Sequence, residues 1–353
     1  MKVASSIATA RQASAELVVE VIEAARDMAG LSRVESTLLF LTSDFSPDIA
    51  NTLRTAARAA GTTQIFGCTA MGLATEEEWV LDGAAACAMV FGEGVGIGPA
   101  PIGREREQLL TLAAPSAINQ LWLNSPGSRF GGVAGDATGH GPYAIFRNAG
   151  SVMEGHIDFR LTGMRCRVAA AHGYRPLADG LPVTAVNRFT ITELDGVPPW
   201  QTLQRVLPGY ERATPMRQLE TRLALLVEAG NDIVPCPLLC LDEHSITMTR
   251  QLEPGQRVFW GLRQALYSEQ ETASLLETMT TDMTEPPSFG LMFTSAGRGP
   301  AFYGGEDLDL VQFRRQFPNV PLLALYGNGQ IAPGQPARML DNSVVFGLFW
   351  PTA

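Results

Sequence analysis

The chain has 353 residues, 46% hydrophobic and 18% charged, and 26 Lys plus Arg against 36 Asp plus Glu give a formal net charge of −10. That length predicts two domains with ample material for packed cores, and the acidic balance, with no Lys/Arg cluster, excludes nucleic acid and anionic membrane as expected partners. Five cysteines, an odd number, suit reduced thiols; no secretory signal opens the sequence and no stretch reaches the roughly 18 uncharged apolar residues of a membrane span, so the expected location is cytoplasmic.

In chain order, VASSIAT reads as a short strand, and Ala13 to Ala29 carries apolar residues at helical spacing and stops at Gly30. STLLFLTS is a buried strand, and Asp44 to Pro47 leads into a helix running to about Ala60. TTQIFGCTA is a strand ending in a glycine turn. This β-α-β-α-β run predicts a sheet with helices packed against it. AAACAMVFGEGVGIGPAPIG reads as two strands joined by glycines, and a helix is expected from about Arg104 to Leu123. Between Gly131 and Ile191 short strands separated by turn residues predict antiparallel pairing.

Asp195-Gly196 and Pro198-Pro199 mark a shift and launch a helix that links two domains. Beyond it, helices are expected at Met216 to Glu228, Gln264 to Met283 and near Leu308 to Phe317. Strands are expected at DIVPCPLLCLD, SITMTR, GQRVFWGLR, SFGLMFTS, VPLLALYG and SVVFGLF. The expected class is α+β or mixed α/β. Two domains, 1–197 and 198–353, would each hold a mixed, largely antiparallel sheet covered by helices.

Several glycine-centred segments, taken together, resemble one family. GCTAMG at Gly67 to Gly72 resembles the strand-end signature of the first half of FIST domains, and GGVAGD at Gly131 to Asp136 its second glycine block. The segment His172 to Leu203, with Gly-Tyr-Arg-Pro ahead of a Leu-Asp-Gly turn, resembles the family's most extended signature. FTSAGRG and LYGNGQIAP resemble the paired motifs of the FIST C-terminal domain. Order and spacing match across nearly the whole chain, which reads as an N-terminal FIST half followed by a C-terminal one with no output module.

The resemblance implies a sensor that binds a small ligand, amino acids among the candidates, and feeds a downstream signalling protein. Two positions depart from the family pattern. Gly72-Leu73 stands where the family often has Gly-Glu, and Gly329-Gln330 where it often has an acidic turn, so two carboxylates that would complement a ligand ammonium are missing.

The resemblance and the residue chemistry together nominate ligand-binding positions in four segments. These are Gly67, Cys68, Thr69 and Gly72; Asp136; Gly297, Arg298 and Gly299; and Tyr326, Gly327, Asn328, Gly329 and Gln330. Gly327 and Gly329 permit close backbone approach, while Asn328 and Gln330 supply donors and acceptors and Tyr326 a hydroxyl; the bland alternative is an elaborate turn. Arg298 between two glycines suits a carboxylate or phosphate, or else an internal ion pair. Asp136 suits a cation or amine, or else simply forms a turn. Cys68 at a strand end is a reactive thiol, a pocket wall or plain core.

No complete catalytic set stands out, and no catalytic residue is assigned. There is no Walker lysine, G-x-S-x-G elbow or H-E-x-x-H, and GEGVGIG fails the dinucleotide spacing. Cys236, Cys240 and His244 recur every fourth residue, but on a strand that step is about 13 Å, too far for one ion. Buried strand cysteines are the expectation, with neither metal nor cofactor. Two alternatives stand beside the sensor: a protein-interaction module without a small ligand, and an enzyme of unknown reaction using Cys68 or Arg298.

Overall fold

The computed structural model describes residues 2–99, 108–136, 138–229, 232–334 and 336–352. It has α+β architecture and two compact units, one made of 1–171 with 272–353 and the other of 172–271. The first unit begins as the sequence pattern predicts. Strand β1 (Val3–Ala10) leads to helix α1 (Ala15–Met28), where Ser14 caps the Leu17 amide and Leu17, Val18, Val21, Ile22 and Ala25 form the buried face. Strand β2 (Ser36–Thr42) is buried throughout, helix α2 (Ile49–Ala60) stops at left-handed Gly61, and β3 (Ile65–Ala70) follows.

Because α2 carries the chain back across the sheet, β2 and β3 pair in parallel. After β4 (Gly72–Thr75) and β5 (Trp79–Val80), strand β6 (Ala84–Phe91) inserts antiparallel between β1 and β2. The first sheet therefore runs β1, β6, β2, β3, Ile145–Arg147, Gly150–Ser151.

Two further sheets complete this unit, and both mix residues from the beginning and the end of the chain. The second sheet orders Arg338–Leu340, Gly329–Ala332, Ser128–Val133, Gln108–Ala113, His156–Leu161 and Ile97–Pro99. The third orders Met164–Ala171, Val344–Pro351, Phe289–Thr294, Leu322–Tyr326, β4 and β5. All three sheets contribute to one apolar core, for example Phe40 and Cys87 from the first, Phe130 and Phe159 from the second, and Phe293 and Phe349 from the third. Helices α1 and α2 cover the outer face of the first sheet; Leu276, Met279, Leu310 and Phe313 cover that of the third.

The second unit is an antiparallel sheet closed on itself. Its order is Tyr174–Pro176, Arg257–Arg263, Leu181–Asn187, Thr190–Leu194, Ile246–Met248, Asp232–Leu241 and Leu223–Ala229, and the last strand pairs back onto Arg257–Arg263. Closure removes exposed strand edges, and the interior is filled by side chains such as Leu225, Ile246, Met248 and Trp260.

Three expectations are corrected. In place of the helix over Arg104–Leu123, Gln108–Ala113 is a strand and only Gln120–Leu123 is helical; residues 104–107 lie outside the described residues. The helix expected over Met216–Glu228 ends at Glu220, and Leu223–Ala229 is the strand that closes the second unit. Both segments contain good helix formers, but their neighbours offer two strand partners each, and tertiary pairing overrides propensity. Cys236 is buried as expected, but Cys240 is exposed, beyond a register shift between Leu238 and Cys240 that re-aims the strand. The helix expected over Gln264–Met283 appears as Ala265–Thr280. Among the described residues no helix is long and apolar enough to cross a membrane.

Candidate functional site

The glycine-rich turns are places where the chain changes sheets. β3 belongs to the first sheet and β4 to the third, so the chain crosses at Met71. Leu322–Tyr326 belongs to the third sheet and Gly329–Ala332 to the second, so the chain crosses again at Gly327 and Asn328. The crossings lock together. Met71 N donates to Tyr326 O at 2.9 Å, Gly327 N to Thr294 O at 2.8 Å, Asn328 N to Val133 O at 3.1 Å and Gly135 N to Thr69 O at 3.3 Å. A methyl group on residue 327 would stand 2.0 Å from Val133 O, which is why only glycine fits there. All four nominated segments thus come together inside the first unit.

The floor beneath Tyr326 is a buried charged network. Arg298, on the turn after Phe289–Thr294, is 0% exposed and its Nε donates to Asp309 Oδ2 at 2.8 Å. Thr272 Oγ1 donates to Asp309 Oδ1 at 2.5 Å, and Arg298 Nη2 lies 3.2 Å from the same oxygen. Tyr326 OH donates to Asp307 Oδ2 at 2.5 Å, while Asp307 Oδ1 accepts the Leu310 amide and caps the helix Leu308–Gln316. Burial, then the charge of Asp309, push the Asp307 carboxyl up to about 6. Burial, then Asp307, push the Tyr326 phenol up as well, so it stays neutral. Gly299 lies against the Tyr326 ring and Gly297 against the Asn342 side chain.

The rim differs. Asp136 follows Ser128–Val133 on a loop and is 3% exposed. Its Oδ2 accepts the Thr138 amide and hydroxyl. Burial raises its pKa, but the Thr138 hydroxyl and the amides of Gly141, Thr138 and Gly139 outweigh burial and hold the carboxyl below its usual range. Its Oδ1, also buried, accepts no hydrogen bond among the described residues. Asn328 is exposed and its Nδ2 donates to Tyr143 OH at 3.3 Å. Burial, then the charge of Asp136, keep the half-buried Tyr143 phenol neutral. Ala144 N, next along, donates to Thr69 Oγ1 at 3.0 Å.

The remaining nominated residues lie inward. Gly67 is pressed on β2, where a methyl would meet Leu39 O at 1.7 Å, and Cys68 sits in the apolar core with its thiol pushed up by burial. Gln330 is fully buried; its Oε1 accepts the Ser343 amide at 3.1 Å. Gly72 pairs opposite Tyr326, and Gly329 opposite Val133. Sequence reasoning missed Gly135, Thr138 and Tyr143. The run Asp-Ala-Thr-Gly-His-Gly-Pro-Tyr carries a signal for the first part, since Asp followed two residues on by Thr and glycines is the pattern of a side chain accepting local amides; nothing local marks Tyr143. A cavity of about 500 Å³, lined by Gln108, Phe130, Arg160, Met164 and Phe349 among others, shares none of these residues.

The chain matches the FIST N domain over residues 36–197 and the FIST C domain over residues 199–333. It is 27% identical over 226 residues to an uncharacterized protein of Mycobacterium tuberculosis (strain CDC 1551 / Oshkosh), covering 61% of this chain and 59% of that protein. A similar alignment, 27% over 212 residues, joins it to an uncharacterized protein of Mycobacterium bovis (strain ATCC BAA-935 / AF2122/97), covering 58% of this chain and 55% of that one. The chain thus spans less than two thirds of the length of these relatives. FIST domains are generally associated with signal transduction and small-ligand sensing. The family boundary near residue 198 and the compact units divide the chain differently, because the first unit draws strands from the N domain and the C domain alike. With matches to both domains in sequence over most of its length, the chain belongs to the FIST domain family.

Proposed function

We propose that the chain is a cytoplasmic sensor that binds a small polar ligand, an amino acid or related carboxylate, at the rim formed by Thr69, Asp136, Tyr143 and Asn328, and presents its bound state to a signalling partner. Gly72, Gly327 and Gly329 shape the wall of that site. Gly297, Arg298, Gly299, Tyr326 and Gln330 support it from beneath. The carrying observation is the buried Asp136 carboxylate, whose Oδ1 accepts no hydrogen bond among the described residues, beside an exposed Asn328. Buried polar atoms are normally satisfied, so an orphan at a rim is where a ligand group fits. Signalling further requires that the ligand favour one of two conformations of the chain.

Thermal unfolding against amino acids, small carboxylates and nucleotides tests this reading. A ligand at 100 times its Kd adds about 2.7 kcal/mol to the folded state. The expected result is a shift with a member of the panel that Asn328→Ala abolishes. No shift across the panel counts against a small ligand. It would favour a second reading, a protein-interaction surface, for which Ile233 and Leu239, exposed by 46% and 63% on the strand Asp232–Leu241, are the motivating feature. Capture of a stable partner that Leu239→Lys releases would support that reading.

A further inference from the structure

We infer that the rim site takes its ligand by a protonated amine, with Asp136 as the counter-ion and Tyr143 and Asn328 completing a set of three oxygen acceptors. This deepens the small-ligand reading and rests on it. The charge argument comes first. Asp136 is 3% exposed, and among the described residues no Lys or Arg forms an ion pair with it. A buried charge without a counter-charge is costly, and buried carboxylates are normally paired or coordinate a metal. The local amides and the Thr138 hydroxyl keep this carboxylate ionised at neutral pH, so it does not escape that cost by taking up a proton. The missing partner is therefore a cation.

The acceptor geometry selects the kind of cation. Asp136 Oδ2 is fixed by Thr138, while Oδ1 accepts no hydrogen bond among the described residues, with the Tyr143 hydroxyl interacting with the same carboxyl. Asn328 turns its Nδ2 to Tyr143 OH, so Asn328 Oδ1 is the amide's remaining acceptor. That oxygen lies beside the backbone next to Asp136, since a methyl group on Gly135 would stand 3.1 Å from it. The Tyr143 oxygen, neutral and already accepting from Asn328, has a second lone pair. Three acceptors, one of them charged, match the three donors and single charge of a primary ammonium. A divalent metal is a poor match, because no group of three His, Cys, Asp or Glu side chains that could hold one occurs among the described residues.

Calorimetric titration of the full chain tests the inference with matched probes: alanine, glutamate, arginine and phenylalanine, each with its decarboxylated amine and its N-acetyl derivative. At least one amine-bearing set should bind, with the N-acetyl member weaker by about tenfold or more, because acetylation removes the charge and two donors. Asp136→Asn should weaken the amine-bearing members to a similar extent, and Tyr143→Phe less. If N-acetyl derivatives bind as well as their parents, or if Asp136→Asn binds amines unchanged, the amine anchor is overturned while the ligand site stands. If no probe binds but a nucleotide or an amine-free acid does, the anchor likewise falls. No binding by any class overturns both. The acetylation series on the unaltered chain needs no variant, so it decides the question even where Asp136→Asn fails to fold.

Discussion

Two buried aspartates serve neighbouring residues of the same turn and are driven in opposite directions. Asp307, under Tyr326, is pushed up to about 6, while Asp136, beside Asn328, is held below the usual carboxylate range. They are almost equally buried, at 1% and 3% exposed. Burial is the largest upward push on both carboxyls, and the neighbours decide whether it prevails. Asp307 shares its space with the Asp309 carboxylate, whose charge opposes a second one, whereas Asp136 faces amides and a hydroxyl that favour the anion. The floor is a closed ion-pair network that holds a turn in place, whereas the rim is a hydrogen-bonded cluster in which Asp136 Oδ1 accepts no bond among the described residues.

The sharpest way to break the floor is to remove its cation. Arg298→Met leaves Asp309 and Asp307 without their guanidinium and should cost about 3–5 kcal/mol, read by chemical denaturation. An unchanged midpoint would mean that the network contributes nothing to the turn. Gly327→Ala attacks the crossing itself, where the added methyl meets Val133 O, and should cost about 1–3 kcal/mol by the same measurement.

Asp307→Asn separates charge from shape, since Asn caps a helix about as well as Asp. Asp307 has a folded-state pKa above its ordinary 3.8, so the folded chain holds this proton more tightly than the unfolded one. Its contribution to stability rises as pH falls through about 6 and levels off below the ordinary value. Denaturation at about pH 7.5 and about pH 4 should show wild type gaining about 1–3 kcal/mol relative to Asp307→Asn on acidification. A constant difference between the two proteins would refute the raised carboxyl. Smallest is Asn328→Ala, exposed on the rim, whose stability should stay within about 0.5 kcal/mol of wild type even as ligand binding is lost. A large destabilisation there would make Asn328 a structural residue and weaken the comparison.

Much of the first sheet was legible in the sequence, because α1 and α2 carry clear helical periodicity with glycine stops and β2 is a continuous apolar run. The four segments of the candidate site were legible too, as glycine-centred turns. Their partners were not. Thr69 meets Gly135, and Asn328 meets Val133, through backbone groups far apart in sequence that leave no local trace. Arg298 illustrates the same limit: its setting between glycines suits either a ligand anion or an internal ion pair, and the identity of its partner, Asp309, depends on how a helix packs. Gln108–Ala113 and Leu223–Ala229 were unreadable for a related reason, since their strand form comes from the neighbours they join rather than from their own propensity.

The exchange of strands between the ends of the chain has a consequence for heredity. β4 lies in register with Leu322–Tyr326, Met164–Ala171 with Val344–Pro351, and Gly329–Ile331 with Gly131–Val133. A gene cut near residue 198 would encode two fragments, each with several unpaired strands ready to bind one another or to aggregate. The two FIST segments are thus separable as text but not as objects. Lineages that keep one are expected to keep the other, and co-expressed fragments should reassemble where each alone precipitates.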